Sequence, residues 1–278
     1  MDIILFLLLT CWLLMILVPF INVIASSFSS YREYMRRPTM LFPLEPTLKN
    51  YSDLIDDGRI WIGYRTTLTI EALGLPISLF LTTSMGYGLS RRFPGKKMFI
   101  IFVLITMVFQ GGIVPTYLLI KEMKLTNTLW SVMLVTGINT FYMILMMNYF
   151  STLPDSIMES ARLDGAGEWN ILFRIVLPLS LPILATISLF YAVDKWNEWY
   201  FAKIFIRKNN LQTLQLVLRS MVIDASIATQ ATAEIKDKTF TSGLKMAAVA
   251  ATMLPIMCVY PFLQKHFAKG MIVGAVKA

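Results

Sequence analysis

Long apolar runs alternate with shorter polar stretches along the whole chain. Six runs fit a membrane span: residues 3–25, 66–89, 98–120, 129–150, 179–200 and 246–267. As helix, each covers a hydrocarbon core of ~30 Å at ~1.5 Å per residue. Lipid offers the backbone no hydrogen bonds, so each run must satisfy itself as a helix. The runs are too continuously apolar for the alternating strands of a barrel. The pattern predicts an all-α polytopic membrane protein with six transmembrane helices in a single membrane domain, 1–278.

The polar stretches carry patterns of their own. Residues 28–65 hold Pro38, Pro43 and Pro46, which favour turns, followed by a short helix over Leu48–Ile55. Residues 201–245 include an amphipathic stretch, Leu211–Val222, and a small, polar stretch, Ala225–Ser242. Residues 151–178 differ from an ordinary connector. Pro154 suits a helix start, and Asp155 or Ser156 suits its N-terminal end. Ile157, Met158, Ala161 and Leu163 form an apolar face, with Glu159 and Arg162 pointing elsewhere. Gly165 stands where a left-handed residue ends a helix, and a second helix is expected over Glu168–Val176. Trp169, Leu172, Phe173 and Val176 make its apolar side, and Pro178 and Pro182 mark entry to the fifth span.

Composition agrees with the membrane reading. The 278 residues are 56% hydrophobic and 15% charged, against about 25% charged in soluble domains. The net charge of +8 comes from basic residues flanking the spans, so it indicates topology and not a nucleic-acid partner. Arg91, Arg92, Lys96 and Lys97 crowd one short turn without an acid, which puts that turn in the cytoplasm. Six spans then place both termini and residues 151–178 in the cytoplasm, and 28–65 and 201–245 outside. The two outer segments are also rich in Lys and Arg, but they are long and mixed with acids, where the rule is weak. The first run exceeds a signal-peptide core and lacks a basic leader, so it is expected to be a retained span; a short preceding tail is left open.

Chemistry is sparse. His266 is the single histidine, and Cys11 and Cys258 lie inside apolar runs as expected buried hydrophobes. No metal cluster, histidine-based triad or cofactor site is expected, and no G-x-x-x-x-G-K-[ST] loop is present to bind ATP. The densest polar cluster is in the fifth run: Asp194, Lys195, Trp196, Asn197, Glu198, Trp199 and Tyr200. Asp194 comes about 22 Å into a helix that starts at Leu179, in the outer half of the membrane. Ionisable groups there usually face a cavity or partner, and rings beside hydrogen-bonding groups suit sugars. Asp194, Lys195, Trp196, Asn197 and Tyr200 are therefore candidates for lining a translocation path or its outer gate. An interfacial aromatic belt with a snorkelling Lys195 is the competing reading. Glu71, in the second run, is expected to pair with Arg65 or face a cavity. Gly86, Gly88, Ala247, Ala248, Ala250 and Ala251 permit close helix approach, and Pro255 and Pro261 should bend the sixth run.

Glu159-Ser160-Ala161, Asp164-Gly165-Ala166, Phe173, Ile175 and Leu177-Pro178 resemble the EAA motif of ABC-importer permeases. Ser160 stands where alanine is usual. Trp61-x-Gly63-Tyr64, Gly111–Tyr117, Asn127–Trp130, Phe190–Val193, Trp196-Asn197, Tyr260–Lys265, Lys269-Gly270 and Gly274 extend the likeness along nearly the whole chain. Together they resemble the second permease subunit of carbohydrate importers of the maltose type, nearer the branch for complex or uronate-containing oligosaccharides. The resemblance implies the type I importer fold in a bacterial plasma (inner) membrane. It implies a homologous second permease, two ATPase subunits and an extracytoplasmic solute-binding protein as partners. It implies ATPase coupling through Glu159, Ser160, Ala161, Asp164, Gly165 and Ala166, and alternating access for an oligosaccharide. Glu159 would meet a basic group on the ATPase; a local pair with Arg162 is the alternative. In maltose-type relatives the sugar contacts lie mainly in the other permease subunit. A permease for another solute shares the coupling motif, and a self-contained channel or secondary transporter is the more distant alternative.

Overall fold

The computed structural model describes residues 2–109, 111–231 and 242–258. Among these residues there are helices and turns and no strand. The helices are α1 (Asp2–Ser27), α2 (Tyr31–Arg36), α3 (Lys49–Asp57), α4 (Arg59–Ser90), α5 (Lys96–Val108), α6 (Ile113–Glu122), α7 (Leu129–Val135) and α8 (Thr140–Phe150). They continue with α9 (Asp155–Leu163), α10 (Glu168–Leu179), α11 (Leu181–Trp196), α12 (Tyr200–Phe205), α13 (Leu214–Ala231) and α14 (Ser242–Cys258). The chain forms two compact units, Met1–Tyr64 with Thr213–Met257, and Arg65–Gln212 with Cys258–Ala278.

In the first unit α1 is apolar on every side, and none of its membrane window is buried within the chain. Lipid or another subunit must cover such a surface. Cys11 on α1 and Cys258 at the end of α14 are exposed free thiols, where buried ones were expected. The segment after α1 is more ordered than its prolines suggested. The buried Glu33 carboxylate accepts the backbone N–H groups of Leu44 (2.6 Å) and Glu45 (3.2 Å) and closes a tight loop. Asn50 donates to the carbonyls of Ser27 and Ser29, both at 2.9 Å, and so fastens α3 to the end of α1. Leu214, Val217 and Met221 are buried along one face of α13, as its amphipathic sequence predicted. The rest of the sixth expected span, with His266 and the Tyr260–Lys265 segment, lies outside the described residues.

In the second unit, three of the expected continuous spans are broken. The 98–120 run divides into α5 and α6, with Gly112 at φ +83 before α6. The 129–150 run divides into α7 and α8 with a bend of 51°. The interruption includes Gly137, and Asn139 caps α8 by accepting the N–H groups of Phe141 and Tyr142. The 179–200 run is corrected most. α10 reaches Leu179, turns by 89° at Ser180, and α11 ends at Trp196. Pro182 explains the restart: it has no N–H to give to Pro178 O, so the first helix cannot run through it, yet it fits the first turn of a new helix. Tyr200 thus opens α12 and is not the end of the fifth span.

The core of this unit joins the membrane helices to the polar loop. Tyr87 of α4, Met146 and Phe150 of α8, and Ile187 and Tyr191 of α11 cluster with Met158 and Ala161 of α9 and Ile171, Leu172 and Val176 of α10. The two expected close-approach glycines differ. A Cβ at Gly86 would come within 3.2–3.3 Å of Met146 and the Met147 backbone, whereas Gly88 faces open space. Gly86→Ala should therefore lower stability by about 1 kcal/mol through overpacking, and Gly88→Ala should be neutral or stabilising. Thermal unfolding of the two detergent-purified variants, side by side, checks the contrast.

Candidate functional site

The 151–178 segment folds as the sequence predicted, helix–turn–helix, with two differences in its surfaces. α9 ends in a Schellman arrangement. Gly165, at φ +82, donates its N–H to Arg162 O at 3.0 Å, and Ala166 donates to Ala161 O at 2.9 Å. The expected apolar face of α9 splits: Met158 and Ala161 are buried in the core, while Leu163 is 89% exposed at the tip. On α10, Leu172 and Val176 are buried but Trp169 and Phe173 are exposed, stacked at 6.0 Å from each other and against Phe80. Residues 172–176 form a π turn, wider than an α turn by one residue.

The charges are arranged differently from either sequence alternative. Glu159 is exposed and has no ion-pair partner among the described residues. Arg162 pairs instead with Glu168 (Nε to Oε1, 2.8 Å), and Tyr87 donates its hydroxyl to Glu168 Oε2 at 2.6 Å. The hydrogen bond from Arg162, then that from Tyr87, hold the Glu168 carboxyl below the ordinary carboxylate range. A depressed folded pKa means this clasp stabilises above the ordinary carboxylate pKa and is lost as pH falls through the lowered one. The melting temperatures of the native chain and Glu168→Gln should differ at neutral pH and converge as pH falls through the lowered Glu168 pKa. The difference will be small, because Glu168 is 54% exposed. Ser160, Asp164 and Gly165 are exposed with Glu159, and Ala166 is half-buried. The segment therefore presents a small polar and apolar tip on a base anchored in the bundle.

The second candidate cluster is divided by the structure. Asp194, Asn197 and Tyr200 are exposed, and Lys195 and Trp196 are buried. Asp194 accepts the Tyr142 hydroxyl at 2.8 Å, and Asn197 donates back to Val193 O at 2.8 Å. Lys195 is 1% exposed, which excludes snorkelling within this chain. Its ammonium approaches Thr136 O (3.4 Å) and Oγ1 (3.5 Å), lies over the Tyr191 ring, and feels the charges of Glu71, Asp194 and Glu198. Glu71 pairs with neither Arg65 nor Lys195 among the described residues, its Oε1 being buried without a hydrogen-bond partner, and Arg65 donates instead to Asn210 O at 3.2 Å. Tyr191 donates to or accepts from Thr82 at 2.7 Å and accepts the N–H of Asn139 at 2.9 Å. Three residues of α11 thus satisfy the interrupted backbone and flanking groups between α7 and α8. Sequence reasoning missed Tyr142, Tyr191, Thr136, Tyr87 and Glu168. Their partners lie 52 to 109 residues away for the membrane contacts and 81 for Tyr87–Glu168, out of reach of a local pattern; only the Arg162–Glu168 pair, six residues apart, was within one.

Residues 70–273 match the family model described as binding-protein-dependent transport system inner membrane component. The chain belongs to this family. The permease is 38% identical over 267 residues to the polygalacturonan/rhamnogalacturonan transport system permease protein YtcP of Bacillus subtilis, covering 95% of this chain and 93% of that one. It is 28% identical to the arabinooligosaccharides transport system permease protein AraQ of Halalkalibacterium halodurans, covering 93% and 90%. Among solved structures it matches a chain of a bacterial ABC transporter involved in the import of the acidic polysaccharide alginate. That match has a TM-score of 0.88, 28% identity and 96% coverage of both chains. The permease is accordingly a helical, multi-pass membrane subunit with the type I ABC importer fold, a transport component and not an enzyme. ATP hydrolysis belongs to a separate subunit, and the family works with a partner permease and a solute-binding protein.

Proposed function

We propose that this permease forms half of the path of an oligosaccharide importer in a bacterial plasma membrane, beside a homologous second permease, and that two ATPase subunits drive it. The carrying observation is the anchored helix–turn–helix, whose tip is exposed and whose base is in the bundle core. Six spans are assigned: α1, α4, the bent pairs α5–α6 and α7–α8, α11 with α10 leading into it, and the run that begins with α14. Residues 151–178 and both termini face the cytoplasm; 28–65 and 201–245 face outward, toward the solute-binding protein. Glu159, Ser160, Ala161, Asp164, Gly165 and Ala166 then belong to the coupling element, with Glu159 free to meet a cation on the ATPase and Leu163 free to enter an apolar cleft. Ala161 acts from below, as a core anchor.

The exposed Asp194, Asn197 and Tyr200 line the path or its outer gate, and Tyr142 orients Asp194. Lys195 and Trp196 support that lining from behind. Hydroxyl-accepting and hydroxyl-donating groups beside rings suit a sugar. The cargo assignment rests on the relatives named for pectic polysaccharide, arabinooligosaccharide and alginate transport.

The assembled complex, in proteoliposomes with its solute-binding protein, tests the reading. Galacturonate, arabinose and alginate oligosaccharides should be offered, with amino acids and dipeptides as controls. At least one oligosaccharide should stimulate ATP hydrolysis several-fold. Stimulation by an amino acid or dipeptide alone would remove the sugar assignment and leave the coupling reading standing.

A further inference from the structure

Arg91 entered the sequence reading as one of four basic residues that set topology, but its surroundings differ from those of its neighbour. The Arg92 side chain is 93% exposed and only 3.9 Å from Asp155 at best. The Arg91 side chain is 14% exposed and is engaged on every edge. Its Nη2 donates to Phe150 O at 2.9 Å and its Nε to Ser90 Oγ at 2.9 Å. Its Nη1 touches Met158 Sδ and lies 3.5 Å from Asp155 Oδ1. Its planar face lies 5.1 Å from the Tyr87 ring centre.

These contacts join three helices. Phe150 closes α8, and its carbonyl is one of the acceptors that a helix end leaves without an internal partner. Ser90 closes α4 and its hydroxyl returns to Tyr87 O. Asp155 opens α9, and Met158 is the buried side chain by which α9 enters the core. The Phe150 carbonyl and the Asp155 carboxylate are both acceptors, so one buried cation serves the end of α8 and the start of α9 while it also holds the Ser90 hydroxyl; the Ser90 carbonyl itself takes Lys96 Nζ at 3.1 Å. A guanidinium can do this because it presents a flat fork of donors, which an ammonium does not. Tyr87 extends the assembly: its ring lies beneath Arg91 and its hydroxyl holds Glu168, which holds Arg162. The start and end of α9 are therefore fixed to α4 by two clasps that meet at one tyrosine.

We propose that Arg91 is a positioning residue for energy coupling: it locks α9 to the inner ends of α4 and α8, so that a displacement of α9 moves both membrane helices as one body. This rests on the reading of α9 as the ATPase-facing element. An ordinary packing arginine would leave α9 free to tilt on its apolar contacts when pushed; the locked arrangement does not allow that tilt.

The test uses the full complex in lipid nanodiscs, with Cys11 and Cys258 replaced and MgATP plus vanadate as the only ligands. Spin-label pairs are placed at the exposed positions 156 and 85, and 156 and 148, which report α9 against α4 and against α8. In the native background both distance distributions should be narrow and unchanged on trapping. In Arg91→Met, trapping should shift or broaden both, by about 3 Å or more, roughly twice the 1.5 Å rise per residue of a helix. Arg91→Lys, which keeps the charge without the fork, should give an intermediate change. A native distance that changes on trapping overturns the proposal, as does an Arg91→Met complex whose distances hold. If Arg91→Met fails to assemble, Arg91→Lys decides, and unchanged distances in it overturn the proposal. Failure of the ATPase to co-purify with the native permease would instead strike the coupling reading beneath it.

Discussion

Gly165→Pro should reduce transport at least about tenfold while the permease still inserts, folds and co-purifies with its partner permease. The backbone at Gly165 sits at φ +82, a region closed to proline, whose ring fixes φ near −65°. The substitution also deletes the N–H that Gly165 donates to Arg162 O. The turn must therefore open, and α9 and α10 lose their mutual angle. The fold survives because the anchors Met158, Ala161, Leu172 and Val176 are distributed on both sides of the turn. Gly165→Ala gives a milder defect, since an L residue in left-handed backbone costs about 1–2 kcal/mol. Uptake in proteoliposomes, measured beside gel filtration of the same preparations, separates loss of coupling from loss of folding. Normal uptake by Gly165→Pro would show that the turn transmits nothing.

The second large effect concerns Lys195. Lys195→Met should destabilise the permease by about 1–3 kcal/mol, the cost of leaving Thr136 O and Oγ1 without the donor that reaches them at 3.4 and 3.5 Å. The substitution fits the volume but also removes the cation among Glu71, Asp194 and Glu198. Glu71 is the most affected, because its Oε1 is buried without a hydrogen-bond partner. Removing that acid as well should recover part of the loss, so Lys195→Met with Glu71→Gln should be more stable than Lys195→Met alone. The fraction of monodisperse protein after heating in detergent reads the native chain and both variants. A single variant as stable as the native chain would mean that the cation holds nothing in place.

Legibility followed the range of the interactions. The existence of the membrane runs, the amphipathic face of α13 and the Gly165 turn could be read from the sequence, because each depends on neighbours within one or two helical turns. The breaks within the runs were less visible. Gly112, Gly137 and Pro182 are all in the sequence, but whether such a residue bends a helix or interrupts it depends on what satisfies the freed backbone. Here Tyr191 and Lys195, more than 50 residues away, supply partners at the α7–α8 break. The division of the Asp194–Tyr200 cluster into exposed and buried members was hidden for the same reason. The sequence showed an ionisable group in a span, but not that Gly74 leaves room for the Lys195 ammonium. Arg91 was visible but was read for its charge alone, since basic residues in a short turn are the usual topology signal.

The π turn at 172–176 gives the length of α10 a particular meaning. An α-helix covering the same distance with the same facing would need one residue fewer. Excising one residue within 172–176 would therefore close the turn to α and keep the facing of both ends, whereas excising one from the regular turns beside it would rotate the Glu168 end by about 100° relative to Ser180 and shorten the rod by about 1.5 Å. In the second case Glu168 would leave Tyr87, and Trp169 would leave Phe80. In an alignment such a change is one gap, trivial against 38% identity over 267 residues. For this molecule a gap inside 172–176 leaves the polar clasp closed and a gap beside it opens the clasp, so the place of the gap decides its consequence.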